Sequence, residues 1–181
     1  MANLDIVTLN ARGLVSYNKR KKLFLWLQNQ KYDICFLQET HCVQSNENLF
    51  NSVWHGNSYK IYHSFTDSSQ SRGVAVLFNT NMSYKVIDYF TADNGRSILI
   101  NVEIHDKMLT LVCLYAPNIE QHRKIYFEGV TKWVKEYSRT DINIIIAGDM
   151  NCCLGKNDRT NTNHMKDKSR ISMKNMINDL Y

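Results

Sequence analysis

The sequence predicts an α/β fold, and three observations carry that prediction. Six short runs are nearly continuous in apolar residues, stretches with helical spacing lie between several of them, and four of the runs lead into an oxygen-bearing polar side chain. Near-continuous apolar runs of this length indicate strands buried on both faces. Apolar residues recurring every three or four positions indicate helices that cover such strands.

Taken in order, the first strand is expected over 4–9 (LDIVTL). A helix follows over 18–30, with Asn18 as its N-cap and Leu23, Trp26, Leu27 and Gln30 on one side. Its first turn carries Lys19-Arg20-Lys21-Lys22, a basic cluster read as a solvated face that can also meet phosphates. A strand at 32–38 (YDICFLQ) precedes a short helical pattern around 46–54, marked by Leu49, Phe50, Val53 and Trp54. Strands are expected at 73–78, 97–104 and 108–115, then a helix over 120–137 with Tyr126, Val130, Trp133, Val134 and Tyr137 inward. A sixth strand occupies 142–147 (INIIIA), a polar loop 155–168, and a last helix 170–181, burying Met173, Met176, Ile177 and Leu180. A structureless loop of that length in a small domain is usually functional or disordered. With neither an internal repeat nor an interdomain linker, residues 1–181 read as a single domain.

Composition sets outer bounds. Of 181 residues, 44% are hydrophobic and 22% charged, an ordinary globular balance. No apolar run approaches the ~20 residues of a bilayer span, so no membrane role is expected. Residues 1–10 lack a basic n-region and carry Asp5, which argues against a secretory signal. Five cysteines without CxxC spacing read as reduced thiols of an intracellular protein, nuclear or cytoplasmic. The net charge of +5 is uneven: residues 155–174 hold six basic side chains against Asp158 and Asp167, a local +4. That segment permits a polyanionic partner without identifying one.

The chemistry lies where the apolar runs stop. The first run ends in Asn10, the second in Gln38-Glu39-Thr40, the run at 108–115 in Tyr115, and NIIIAG in Asp149-Met150-Asn151. In open α/β sheets, binding sites assemble at the C-terminal ends of strands. The Asn10 amide oxygen and the Glu39 carboxylate are hard ligands suited to Mg²⁺. Asp149 can orient or deprotonate water, while Tyr115 and Asn151 can hydrogen-bond a phosphoryl oxygen. Singly, each residue reads as a turn or cap residue. Four repeats of one arrangement favour a shared site over four unrelated turns. Its parts would suit metal-assisted hydrolysis of a phosphate ester, but periodicity alone does not identify the reaction.

Five motifs sharpen this: Leu9-Asn10-Ala11-Arg12-Gly13-Leu14, Leu37-Gln38-Glu39-Thr40-His41, Ser71-Arg72-Gly73-Val74-Ala75-Val76, Tyr115-Ala116-Pro117-Asn118 and Gly148-Asp149-Met150-Asn151. In this order they resemble the endonuclease/exonuclease/phosphatase superfamily of exonuclease III and the AP endonucleases. The wording is most similar to the N-terminal endonuclease of LINE-type non-LTR retrotransposons. The resemblance implies two β-sheets packed face to face and flanked by helices, a four-layer α/β sandwich, with Mg²⁺ or Mn²⁺ at one edge. Carried over, Glu39 is the metal ligand and Asn10 supports the metal's water shell. Tyr115 contacts the scissile phosphate, Asp149 activates water and Asn151 holds the phosphate. Arg72 and Arg96 then fall where the DNA backbone passes, with Lys156 and Arg159 in the basic loop as further DNA contacts.

The family's site also has a second half, a C-terminal Ser-Asp-His. None of the six histidines follows a Ser-Asp, and Ser169-Arg170-Ile171-Ser172 lacks the acid of the family's SRID signature. The resemblance therefore implies a domain incomplete at its C-terminal end, prone to aggregate, and inactive or impaired as a DNA-nicking enzyme. A phosphatase of the same fold acting on small phosphate esters, and a catalytically dead DNA- or protein-binding remnant, are the alternatives. DNA is the expected partner, with no obligate protein partner and a reverse transcriptase in cis in a full-length element. His41 and Cys42 lack neighbours for a tetrahedral metal site, and Cys152-Cys153 are expected half-buried behind the site.

Overall fold

The computed structural model describes residues 3–52, 58–139, 143–154 and 167–181. Within them the order is β1 (Ile6–Asn10), α1 (Tyr17–Gln30), β2 (Ile34–Gln38), a 3₁₀ turn (Gln44–Asn46), α2 (Glu47–Asn51), β3 (Tyr59–Ser64), β4 (Val74–Asn79), β5 (Tyr84–Ala92), β6 (Ser97–Ile104), β7 (Lys107–Tyr115), α3 (Glu120–Tyr137), β8 (Ile144–Asp149) and α4 (Ser169–Leu180).

The strands form two mixed sheets of four, ordered β1-β2-β4-β3 and β5-β6-β7-β8. Each sheet has one parallel pair, β1 with β2 and β7 with β8, and its other neighbours run antiparallel. Side chains alternate across a strand, so one apolar run can serve two cores. Ile34 and Phe36 face Val76, Ile98, Ile100 and Leu111 between the sheets, while Cys35 and Leu37 face Phe24 and Leu27 of α1. On the other sheet, Leu99, Val112 and Leu114 pack against Phe127, Val130 and Val134 of α3 and Met173 and Met176 of α4. The layers run helix, sheet, sheet, helix, as expected for the four-layer sandwich.

Eight strands form where six apolar runs predict six. β5 alternates half-buried and exposed positions, with a register shift between Val86 and Asp88, so it has no continuous apolar run. β3 lies at the outside of its sheet and mixes Tyr59, Ile61 and His63 with polar residues. β1 and β8 are also less buried than β2, β4, β6 and β7, because each is an outer strand.

Helix α1 corrects three details. It begins at Tyr17 with Ser16 in the N-cap position, not Asn18. Its buried stripe is Arg20, Phe24 and Leu27, whereas Trp26 is exposed. Arg20 thus leaves the basic surface cluster: its guanidinium donates to the Leu14 carbonyl at 2.7 Å and to that of Val15, and lies over the Phe50 ring. The pattern around 46–54 forms a 3₁₀ turn and the short α2, with Phe50 buried and Leu49 exposed. Val53 and Trp54, and the loop carrying Lys156 and Arg159, lie outside the described residues.

Candidate active site

The two parallel pairs decide where the polar residues meet. Because β1 runs with β2 and β7 with β8, the C-terminal ends of all four strands lie at one edge, and β1 faces β8 across the sandwich. Beyond the strands, the backbone ladder continues through the loops. Gly13 N donates to Glu39 O at 2.7 Å, Thr40 N to Gly73 O at 2.9 Å, and Gly73 N to Gly95 O at 2.9 Å. On the second sheet, Tyr115 N donates to Arg96 O at 2.8 Å and Ala116 N to Asp149 O at 2.9 Å. The five sequence motifs are therefore hydrogen-bonded neighbours. Arg12, Glu39, His41, Arg72 and Asn151 all have positive φ here, between 48° and 63°. Backbone conformations of this kind cluster where the surrounding contacts hold a functional site in place.

Asn10 is at the centre. Its side-chain Nδ2 donates to Glu39 Oε1 at 2.8 Å and to Asp149 Oδ2 at 2.9 Å, while its Oδ1 accepts from Arg12 N at 3.0 Å. One neutral amide thus holds two carboxylates toward each other. Neither carboxylate has an ion-pair partner among the described residues. Burial, followed by the nearby Glu39 carboxylate, raises the Tyr115 phenol to about 12. It is a proton donor at neutral pH. Asn151 N donates to Asp149 Oδ1 at 3.0 Å, and its Nδ2 to Ala116 O at 2.8 Å, which leaves one amide proton of that group to spare.

Arg96 flanks this group. Its guanidinium lies 5.2 Å from the centre of the Tyr115 ring and donates from Nη1 to the Tyr115 carbonyl at 3.1 Å. Burial and then the like charge of Arg72 push the Arg96 guanidinium below its usual range. Arg72 shares a recess with Arg96 and is not in the Asn10 cluster.

Three contributions are not legible in the motifs. His41 lies against the Gly13 backbone, where an added Cβ would stand 2.7 Å from its Nδ1, so it wedges the first loop onto the second. Burial, with Lys19 nearby, lowers its pKa although Glu39 opposes the shift, which keeps the ring neutral. Gln38 is buried and its Nε2 donates to Thr8 Oγ1 at 3.1 Å. Arg123 of α3 fastens the chain after Tyr115, donating to Pro117 O at 3.2 Å and Asn118 O at 2.5 Å. An apolar-periodicity reading passes over all three, since each acts through a polar or steric contact that periodicity does not record.

A recess of about 540 Å³ opens beside Asn10 and Asp149 and is lined also by Asn151, Cys152, Cys153 and Met173. Both cysteines are half-buried. The oxygen donors available to a cation are the Glu39 and Asp149 carboxylates. Asn10 turns its NH2 to both and its Oδ1 to Arg12 N, so its amide oxygen does not join them as a ligand. Among the described residues no three His, Cys, Asp or Glu side chains gather as a metal set. No helix there is long and apolar enough to cross a membrane.

Known proteins share this fold. Residues 7–169 match the model of the Endonuclease/Exonuclease/phosphatase family. The chain is 28% identical over 174 residues to the Transposon TX1 uncharacterized 149 kDa protein of Xenopus laevis, covering 96% of this chain and 13% of that protein. It thus spans only a small part of that relative. Among solved structures, an AP endonuclease from Archaeoglobus fulgidus superposes with a TM-score of 0.74 at 18% identity, over 97% of this chain and 70% of the other. D. rerio TDP2 complexed with single strand DNA product superposes with a TM-score of 0.62 at 20% identity, over 83% and 61% of the two chains. These two likenesses concern the fold, whereas the match over residues 7–169 extends to the sequence itself. On that match, the chain belongs to the endonuclease/exonuclease/phosphatase family.

Proposed function

We propose that this site hydrolyses phosphodiester bonds of DNA with a divalent metal, nicking one strand. The observation that carries the reading is Asn10, whose amide draws Glu39 and Asp149 together at the edge where Tyr115 also ends its strand. Two carboxylates without a cationic partner make a site that attracts a cation. Few protein oxygens and no nitrogen or sulfur set fit Mg²⁺, or Mn²⁺, which retains water or phosphate in its remaining positions. When bound, such an ion would supply Lewis-acid stabilisation of the phosphoryl charge.

In this reading Glu39 is the carboxylate ligand and Asn10 holds the ion's water shell. Asp149 orients the attacking water and accepts its proton as the new P–O bond forms and the ester P–O bond breaks. Tyr115 and the spare Asn151 amide proton donate to the phosphoryl oxygens, and Arg72 and Arg96 meet a neighbouring backbone phosphate. The transposon relative and the DNA named with TDP2 support DNA as the partner. With no third acid or His gathered beside Asp149 among the described residues, turnover is expected to be slow.

The test is nicking of supercoiled plasmid with Mg²⁺, comparing the chain with Glu39→Ala and Asp149→Ala. Slow, metal-dependent nicking lost in both variants supports the reading. Hydrolysis of inositol phosphates without nicking would replace DNA with a small phosphate ester.

A further inference from the structure

Tyr115 stands between two recesses. In the order β6-β7-β8, Arg96 precedes β6 on one side of it and Asp149 ends β8 on the other. The Asp149 side opens into the recess already described. The Arg96 side opens into a second of about 480 Å³, whose lining includes Arg72, Asp93, Arg96, Pro117, Ile125 and Gly129.

Two features of this second recess are unexplained by folding. Arg72 and Arg96 oppose one another as like charges, and neither forms an ion pair among the described residues. Gly129 sits in the middle of α3, where glycine costs about 1 kcal/mol relative to alanine. Packing does not require it, since a Cβ at Gly129 would meet nothing within 4 Å. Its missing side chain keeps the recess wall bare. One turn earlier, Ile125 is 70% exposed on the same helix face. The recess therefore offers two cations, partly offset by the Asp93 carboxylate, at one end and a bare, apolar helix face at the other.

We propose that this recess is a nucleotide subsite. It seats the nucleotide adjacent to the one whose phosphate lies at Glu39 and Asp149, with that neighbour's phosphate on Arg72 and Arg96 and its sugar and base against Pro117, Ile125 and Gly129. A phosphate with apolar-faced rings attached matches both ends of the recess. The inference rests on the DNA reading above and adds where the flanking strand runs.

Fluorescence polarisation of labelled oligonucleotides, with and without Mg²⁺, tests it in the full chain. Gly129→Phe, which fills open space, and Ile125→Glu, on the exposed rim, are each expected to weaken binding about tenfold, or ~1.4 kcal/mol. Ile87→Glu, on the exposed face of β5, serves as the control and retains wild-type affinity. Thermal transitions of all variants establish that they fold, and Ile125→Glu carries the test if Gly129→Phe does not. Wild-type affinity in a folded Ile125→Glu or Gly129→Phe chain overturns the subsite. Equal loss in Ile87→Glu also overturns it, as non-specific charge. DNA binding without nicking defeats the endonuclease reading alone, because the polarisation comparison still decides the subsite. Absence of DNA binding by the wild-type chain defeats both.

Discussion

The backbone amide of Gly73 donates to the carbonyl of Gly95 at 2.9 Å, joining the loop that leads into β4 to the turn between β5 and β6. The two residues belong to different sheets, so the bond holds the half of the site bearing Asn10 and Glu39 against the half bearing Tyr115 and Asp149. Both have positive φ, 82° and 77°. A Cβ on Gly95 would lie 2.9 Å from Phe65 O and 3.0 Å from Gly73 N. Gly95→Ala is expected to destabilise the chain by about 1–3 kcal/mol. Urea denaturation measures this, and a loss below a few tenths of a kcal/mol would show that the junction relaxes freely.

Asn10→Asp replaces the neutral amide between Glu39 and Asp149 by a third carboxylate. Without divalent metal, stability should fall by about 1–2 kcal/mol, because like charges at this range repel and the bridging donor is lost. Mg²⁺ should then raise the thermal midpoint more in Asn10→Asp than in the wild type. Thermal melts with and without Mg²⁺ decide it; an equal or smaller rise counts against a cation between these groups.

His63 introduces a pH dependence. It is buried, neither ring nitrogen has a hydrogen-bond partner among the described residues, and it stacks on Phe65 and meets Phe50 in a T-shaped contact. Burial holds its pKa down to about 4. In the unfolded chain the ring takes a proton near pH 6.5. The unfolded state therefore binds more protons between those values, and stability falls as pH drops through that window, by about 3 kcal/mol at pH 4. His63→Phe should flatten this part of the stability profile relative to wild type, a difference that denaturation at pH 7 and pH 4.5 would resolve.

Arg123 is buried and ties three segments together. Besides the Pro117 and Asn118 carbonyls, it donates to Ser169 Oγ at 2.9 Å and to Asp167 at 2.6 Å. Arg123→Met keeps much of the stem but strands these acceptors, and should cost about 2–4 kcal/mol. Hydrogen exchange should show α4 opening first. Uniform loss of protection across both sheets would instead indicate a general folding defect.

How far the sequence could be read depends on the element. β2, β4, β6 and β7 are legible because both their faces are covered, which leaves continuous apolar runs. β3 and β5 are hidden by partial exposure, since a half-solvated strand retains polar residues at alternate positions. In α1 the residue type misleads. Arg20 occupies a core-facing position of the Arg20-Phe24-Leu27 stripe because its charge is spent on backbone carbonyls, which no periodicity records. At the site, the residues that follow each strand can be named from sequence, but their relations cannot.

By itself, then, the sequence determined the α/β class, the family motifs and the polar residues that end the central strands, because these depend on local pattern and motif order. Only the tertiary structure decided that Asn10 spans Glu39 and Asp149, partners 29 and 139 positions away. It also decided that Arg72, Arg96 and Gly129 share one recess. Such relations follow from which strands pair in parallel and how the sheets face one another. Those choices are made by burial of the whole core, so no local stretch of sequence encodes them.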